Sequence, residues 1–273
     1  NNARLSDNST APNFAPAAPL SLGAALLQPA VGQHPGLGGA PAATLNAGVA
    51  TVSGLRYDEV GIIELSAVQT GDYLGIGASA TAAIRGLSGA VGRFHPARFA
   101  LSANTPLVSD ACAKGAFTYM DQAFTFGLAP TLTVTAQNTA GATTHNYTTS
   151  GFFRFDPTLA NRRAADSGAR PLGYVAGNAA SATETTGGTG TFKLSLPPGA
   201  NGDRFTYVRG APETPFVASI DLTVPAASLT DTDLVCFDRD ADRACDDFSF
   251  EDIAGASLRY GRLATDNVLG SEL

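Results

Sequence analysis

The clearest signal along this chain is alternation. From Thr131 to Ala136 the apolar residues Leu132, Val134 and Ala136 take every second position. That is the pattern of a strand with one buried and one wet face. The same reading holds for Phe192-Lys193-Leu194-Ser195-Leu196, Phe205-Thr206-Tyr207-Val208 and Phe216 to Leu222. Earlier strands are predicted at Val60, Ile62, Ile63, Leu65 and Ala67, at Tyr73-Leu74-Gly75-Ile76, and at Arg98 to Leu101. Phe117 to Met120, Ala123 to Phe126 and Leu258 to Leu263 complete the series.

Little follows a helical period. The helix candidates are short pieces around Leu159–Ala165, and residues 158–190 read as long polar, Gly-rich surface loops or a mobile hairpin. Gly86 to Gly92 is rich enough in glycine to mark a domain boundary. Many short strands separated by Gly and Pro predict an all-β chain of two or more immunoglobulin-like β-sandwich domains with long loops. The expected division is 1–91 for an N-terminal sandwich, 92–226 for a central one, and 227–273 for an acidic loop with further strands.

Composition agrees with strands and turns. The chain has 273 residues, 44% of them hydrophobic and 15% charged, against roughly 25% charged in an average soluble domain. The net charge of −7 disfavours nucleic acid, whose phosphates demand clustered Lys and Arg. No apolar run approaches the roughly 18 residues a membrane-spanning helix needs. Cys236 and Cys245 bracket an acidic loop, a spacing that suits a short-loop disulfide in an oxidising compartment. Cys112 is then left as a buried apolar thiol.

The densest polar cluster lies inside that bracket. Asp238, Asp240 and Asp242 alternate, and Asp246 and Asp247 follow. Alternate carboxylates can wrap a hard cation, because Ca²⁺ takes six to eight oxygens in a flexible geometry. The spacing begins like a D-x-D-x-D calcium loop and then departs. Arg243 stands where the turning Gly belongs, and Ser249 where a bidentate Glu belongs. The competing reading is a solvated acidic loop paired with its own arginines.

Other motifs carry less. Gly75-Ile76-Gly77-Ala78-Ser79-Ala80 matches a loose dinucleotide-binding fingerprint, but no strand–helix–strand pattern surrounds it and it reads as a sheet turn. His34, His95 and His145 stand singly, without metal-ligand spacing. No Gly-x-Ser-x-Gly nucleophile elbow surrounds Ser88. Asn8-Ser9-Thr10 and Asn146-Tyr147-Thr148 fit the glycosylation sequon. The pairs Phe117/Tyr119 and Phe124/Phe126 and the group Phe152/Phe153/Phe155 have the spacing of core filling on a sheet face. Tyr73, Tyr147 and Tyr174 lie nearer loops and are the better candidates for contact with a ligand.

Several segments in order resemble the large domain of MshQ-like proteins of type IV pilus loci. They are Tyr57 to Gly61, Val91 to Phe99, Phe117 to Met120, Leu132 to Asn138 with Asn146-Tyr147, the Cys236–Cys245 loop, and Leu258 to Leu263 with Gly270 to Leu273. Pro96-Ala97 departs from the Pro-Asp of that family, and the resemblance implies a domain that continues past Leu273. It also implies a secreted bacterial surface or pilus-associated protein, structural or adhesive and non-enzymatic. Other pilus or surface subunits are its implied partners, and glycans a further class. No cofactor is expected other than calcium at the acidic loop. The alternatives are a calcium-dependent carbohydrate-binding module and an extracellular hydrolase fragment.

Overall fold

A computed structural model describes residues 9–39, 42–77, 84–112, 114–183 and 187–261. The described chain is all-β, interrupted only by short 3-10 turns. Strands β1 (Leu20–Gln28), β2 (Ala42–Ala43), β3 (Gly61–Gln69) and β4 (Arg85–Phe94) form a four-stranded sheet in the order β2-β1-β3-β4. There follow β5 (Arg98–Ala103), β6 (Leu107–Ser109), β7 (Thr118–Tyr119), β8 (Phe124–Leu128) and β9 (Thr131–Gln137). After a 3-10 turn at His145–Thr148 come β10 (Arg163–Asp166), β11 (Leu172–Val175), β12 (Ser181–Thr183) and β13 (Thr191–Ser195). The last are β14 (Arg204–Tyr207), β15 (Phe216–Val217), β16 (Ile220–Val224), β17 (Phe248–Ile253) and β18 (Ser257–Arg259).

These later strands build four further sheets, ordered β12-β13-β9-β5, β11-β14-β8-β6, β10-β16-β17 and β15-β18-β7. Pairing is antiparallel except between β18 and β7. The alternation of β9 is realised residue by residue, with Leu132, Val134 and Ala136 buried and the threonines half-exposed. Phe192 and Leu194 of β13, Phe124 and Phe126 of β8, and Phe205 and Tyr207 of β14 turn inward in the same way. One hydrophobic core takes in residues from Val60 to Leu258, so β17 and β18 pack with the strands that precede residue 226. Rings meet edge-on within it, for example Phe126 against Phe205 at 5.1 Å and Phe155 against Phe192 at 5.3 Å, a favoured aromatic geometry.

Some local expectations are corrected. Tyr73 to Ile76 is a turn, with Leu74 and Gly75 in the left-handed region. Gly86 to Gly92 is part of β4, paired along β3. Glycine is tolerated there because β4 is an edge strand, and Gly89, with φ of 73°, sits at a bulge where Ser88 Oγ accepts the Leu65 N–H at 2.9 Å. Ala160 and Asn161 form a turn, Arg163 to Ala165 already belong to β10, and strands β10, β11 and β12 all lie within 158–190. Small residues such as Ala164, Gly173 and Ala182 supply these strands with little hydrophobic contrast, so pairing rather than pattern defines them.

No helix of the described residues is long and apolar enough to cross a membrane.

Candidate functional site

The acidic segment grows out of the sheet edge at β5. Phe99 donates its N–H to the Cys236 carbonyl at 2.7 Å, and Asp238 N–H reaches back to the Phe99 carbonyl at 3.3 Å. Residues 236–238 thus cover a strand edge that would otherwise offer open backbone groups. Phe237 is buried beneath them, its ring 5.9 Å from Phe248. A disulfide joins Cys236 to Cys245 across a Cα–Cα distance of 5.6 Å. The Asp246 N–H then bonds the Phe237 carbonyl at 2.9 Å, closing the loop at its base.

Inside the loop the carboxylates organise the backbone. Asp238 is buried, and its two oxygens accept the N–H groups of Ala241 at 2.7 Å and Arg243 at 3.0 Å. Asp240 accepts from Asp242 N–H at 3.2 Å, Asp242 from Ala244 N–H at 2.7 Å, and Asp246 from Arg239 N–H at 2.7 Å. Asp238, Asp240 and Asp246 each place one carboxylate oxygen within 4.8 Å of the others. Asp242 stays outside that group. Asp247 is turned away, accepting the Ala226 N–H at 2.7 Å and facing Arg163 at 3.6 Å.

The arrangement suits a hard cation in part. Arg243 adopts φ of 76°, the left-handed conformation for which a calcium loop uses glycine. The Arg239 guanidinium lies near the Phe237 ring and the Asp247 carbonyl, not among the three carboxylates. Ser249 is occupied in the sheet, its Oγ 3.0 Å from Thr223 Oγ1. Three monodentate carboxylates leave further oxygens to be supplied by water or backbone.

The other residues singled out from sequence lie apart from this loop. The Tyr147 ring is fully buried and its hydroxyl donates to Asp231 at 2.8 Å, so it has no access to a ligand. Tyr174 donates to Asp203 at 2.9 Å, and Tyr73 packs edge-on against Phe14 at 4.9 Å. His34 lies beside the Ala24 carbonyl, His95 beside that of Pro96, and His145 opens the 3-10 turn, so the three do not converge. Asn146 of the sequon is buried and bonded to Gln33 and Val60, which leaves no room for a glycan. Gly77 N–H is held by Asp72 at 2.6 Å in a turn; Ala78 to Ala80, Asn8 and Arg262 to Leu273 lie outside the described residues. The aromatic groups divide: Phe124, Phe126, Phe152 and Phe155 are buried, whereas Tyr119 is exposed at 47% with Phe117 beside it. Cys112 is half-buried and free.

What sequence reasoning missed is a set of buried ionisable groups. Arg162 and Asp203 form an ion pair with almost no exposure. Asp166 accepts from the Tyr207 hydroxyl at 2.6 Å, and Glu59 accepts the N–H groups of Val60, His145 and Asn146. Each of these carboxylates is committed to holding a loop or a turn. Partners 41 residues apart, as for Arg162 with Asp203, leave no spacing signal.

Burial pushes the phenols of Tyr147, Tyr174 and Tyr207 well above their ordinary value of 10.0, reinforced by Asp231, Asp203 and Asp166 respectively. Burial, with Glu59, lifts Tyr57 to about 12. A raised folded-state pKa means that the native chain keeps the proton longer than the unfolded chain. The stability these phenols carry is therefore complete below pH 10 and is lost as pH rises towards their folded values. The urea midpoint is expected to fall above pH 10, with Tyr147 alone accounting for about 1.4 kcal/mol by pH 11. Tyr147→Phe should remove its share of that alkaline slope, leaving the part due to Tyr57, Tyr174 and Tyr207, while costing about 1–2 kcal/mol at neutral pH, where Asp231 loses a donor.

With fold and loop in place, the chain falls among all-β domains whose family is defined by sequence. It belongs to the family described as DUF6701, third domain, whose model matches residues 59–252. No curated protein and no solved structure shows a significant match.

Proposed function

We propose that this chain is a non-catalytic extracellular module of a bacterial surface or pilus-associated protein, with a structural or adhesive role. The observation that carries this reading is how its buried ionisable groups are used. Arg162, Asp203, Asp166, Asp231 and Glu59 are all engaged in pinning backbone, tyrosines or each other. A general acid or base needs a proton-transfer partner within reach of a substrate, and these groups are spent on rigidity. The Cys236–Cys245 bridge supports an oxidising compartment. The resemblance to MshQ-like proteins supports the pilus setting, with other surface subunits as partners. In this reading the facing sheets pack as immunoglobulin-like sandwiches, a stiff scaffold that presents loops.

A second reading has its own support: a calcium-dependent carbohydrate-binding module. It rests on the convergence of Asp238, Asp240 and Asp246 beside a left-handed Arg243. Glycan-array binding by the purified chain, with calcium and again with chelator, tests both. Selective binding that survives chelator supports the adhesive module with its site elsewhere than the acidic loop. Binding abolished by chelator, and by Asp240→Asn, supports the second reading. Turnover of any ester, peptide or glycoside substrate in a parallel panel would refute the non-catalytic assignment.

A further inference from the structure

The small sheet β15-β18-β7 turns an aromatic and cationic face outward. Pairing sets Leu258 beside Thr118 and Arg259 beside Tyr119. Leu258 and Thr118 are fully buried, so Arg259 and Tyr119 share the opposite, exposed side. Val217, paired with Ser257, lies on that side as well and is exposed. The Phe117 ring meets Tyr119 edge-on at 4.9 Å, and the Arg259 guanidinium lies 4.5 Å from the Phe117 centroid. A Cβ at Gly261 would come within 2.9 Å of the Tyr119 ring, so glycine there keeps a further side chain off it.

The charges on this face are open. The Arg259 guanidinium has no hydrogen-bond or ion-pair partner among the described residues, only the Phe117 ring. A guanidinium stacked on a ring keeps its N–H edge for a carboxylate, which it takes in a two-pronged grip. Lys114 is exposed in the turn that leads into Phe117. The Asp110 carboxylate is already engaged, its Oδ1 accepting the Ser257 N–H at 2.8 Å and the Thr118 hydroxyl at 3.5 Å. On a chain of net charge −7, this pairing of exposed rings with a free cation favours an anionic ligand. Two rings, a valine and a guanidinium fall well short of the about 800 Å² per partner of a stable protein interface. A small ligand fits better. Ring faces carry partial negative charge and attract the C–H groups of a sugar.

We propose that this face binds an acidic saccharide, a pyranose that carries a carboxylate. Tyr119 and Phe117 take the C–H face of the sugar, and Arg259 takes the carboxylate. The inference rests on the adhesive reading and gives it a ligand class and a site away from the acidic loop.

The test titrates trigalacturonate into the full chain while the Tyr119 ring and Arg259 Nε–H resonances are followed by NMR. Its full methyl ester, with the sugar faces but no charge, and tri-glutamate, with charge but no sugar, are titrated separately. Saturable shifts at both residues are expected with trigalacturonate, and the ester should bind about fivefold more weakly, the upper range for an exposed ion pair. Tri-glutamate should not saturate. Tyr119→Ala should weaken trigalacturonate about fivefold. Arg259→Gln should erase the preference for acid over ester, and it serves alone should Tyr119→Ala fail to fold. Absence of saturable shifts, equal binding of acid and ester, tri-glutamate binding as tight as trigalacturonate, or undiminished binding in the variants would overturn the proposal. Glycan-array binding unchanged in Tyr119→Ala would overturn this site and leave the adhesive reading standing, whereas silence across the array would remove both.

Discussion

Replacing Asp203 by alanine is expected to destabilise the fold by about 3–5 kcal/mol, the cost of leaving a buried charge without its partner. Asp203 has no exposed surface and takes two bonds from the Arg162 Nε, at 3.1 and 2.9 Å, and one from its terminal nitrogen at 2.5 Å. It also accepts the Gly177 N–H at 2.8 Å and the Tyr174 hydroxyl at 2.9 Å. Arg162 in turn reaches the carbonyls of Leu159, Gly177 and Asn178. One removal therefore loosens the turn before β10 and the segment after β11 together. Equilibrium urea unfolding reads the loss. The double variant Arg162→Met with Asp203→Leu should be less destabilised than Asp203→Ala, because no unpaired charge remains, though the Gly177 and Tyr174 donors stay unsatisfied. A loss below about 1 kcal/mol in Asp203→Ala, the range of an exposed pair, would mean that water reaches this pair.

The second large effect is expected at the disulfide. Cys236→Ser with Cys245→Ser frees a loop with a sequence separation of nine, and chain-entropy arguments put its cost at about 2–3 kcal/mol. For a chain of this size that corresponds to a drop of roughly 4–6 °C in Tm. The loss should concentrate at the β5 edge, since Cys236 and Asp238 are the residues bonded to Phe99. Hydrogen exchange at Phe99 and Asp238 should rise ahead of that at Leu132 or Val134 in β9. Reduction of the wild-type chain should reproduce the variant. An unchanged Tm would show that the buried Phe237, not the bridge, holds the loop.

What sequence could reveal here depends on contrast between neighbours. β9, β13 and β14 were legible because bulky apolar residues alternate with Thr, Lys or Arg, and burial follows that alternation. β10, β11 and β12 were not, because Ala, Gly and Ser change little in hydropathy from one face to the other. β4 was hidden by its glycines, which an edge strand with bulges accommodates. At the acidic loop, residue types identified the carboxylates, but only folding separates Asp238, Asp240 and Asp246 from Asp242 and Asp247. Arg243 argued against a calcium loop by its identity, yet its backbone has the left-handed turn that glycine would provide. The Arg162–Asp203 pair follows from tertiary contacts alone.

The central claim is that this chain works outside the cell, in an oxidising setting. Intact cells producing the native protein should be treated with a membrane-impermeant biotin reagent, and the chain then recovered and probed with maleimide before and after reduction. The account predicts biotin labelling on intact cells, with Cys236 and Cys245 reacting with maleimide only after reduction. Labelling seen only after lysis, with both cysteines free, would contradict it.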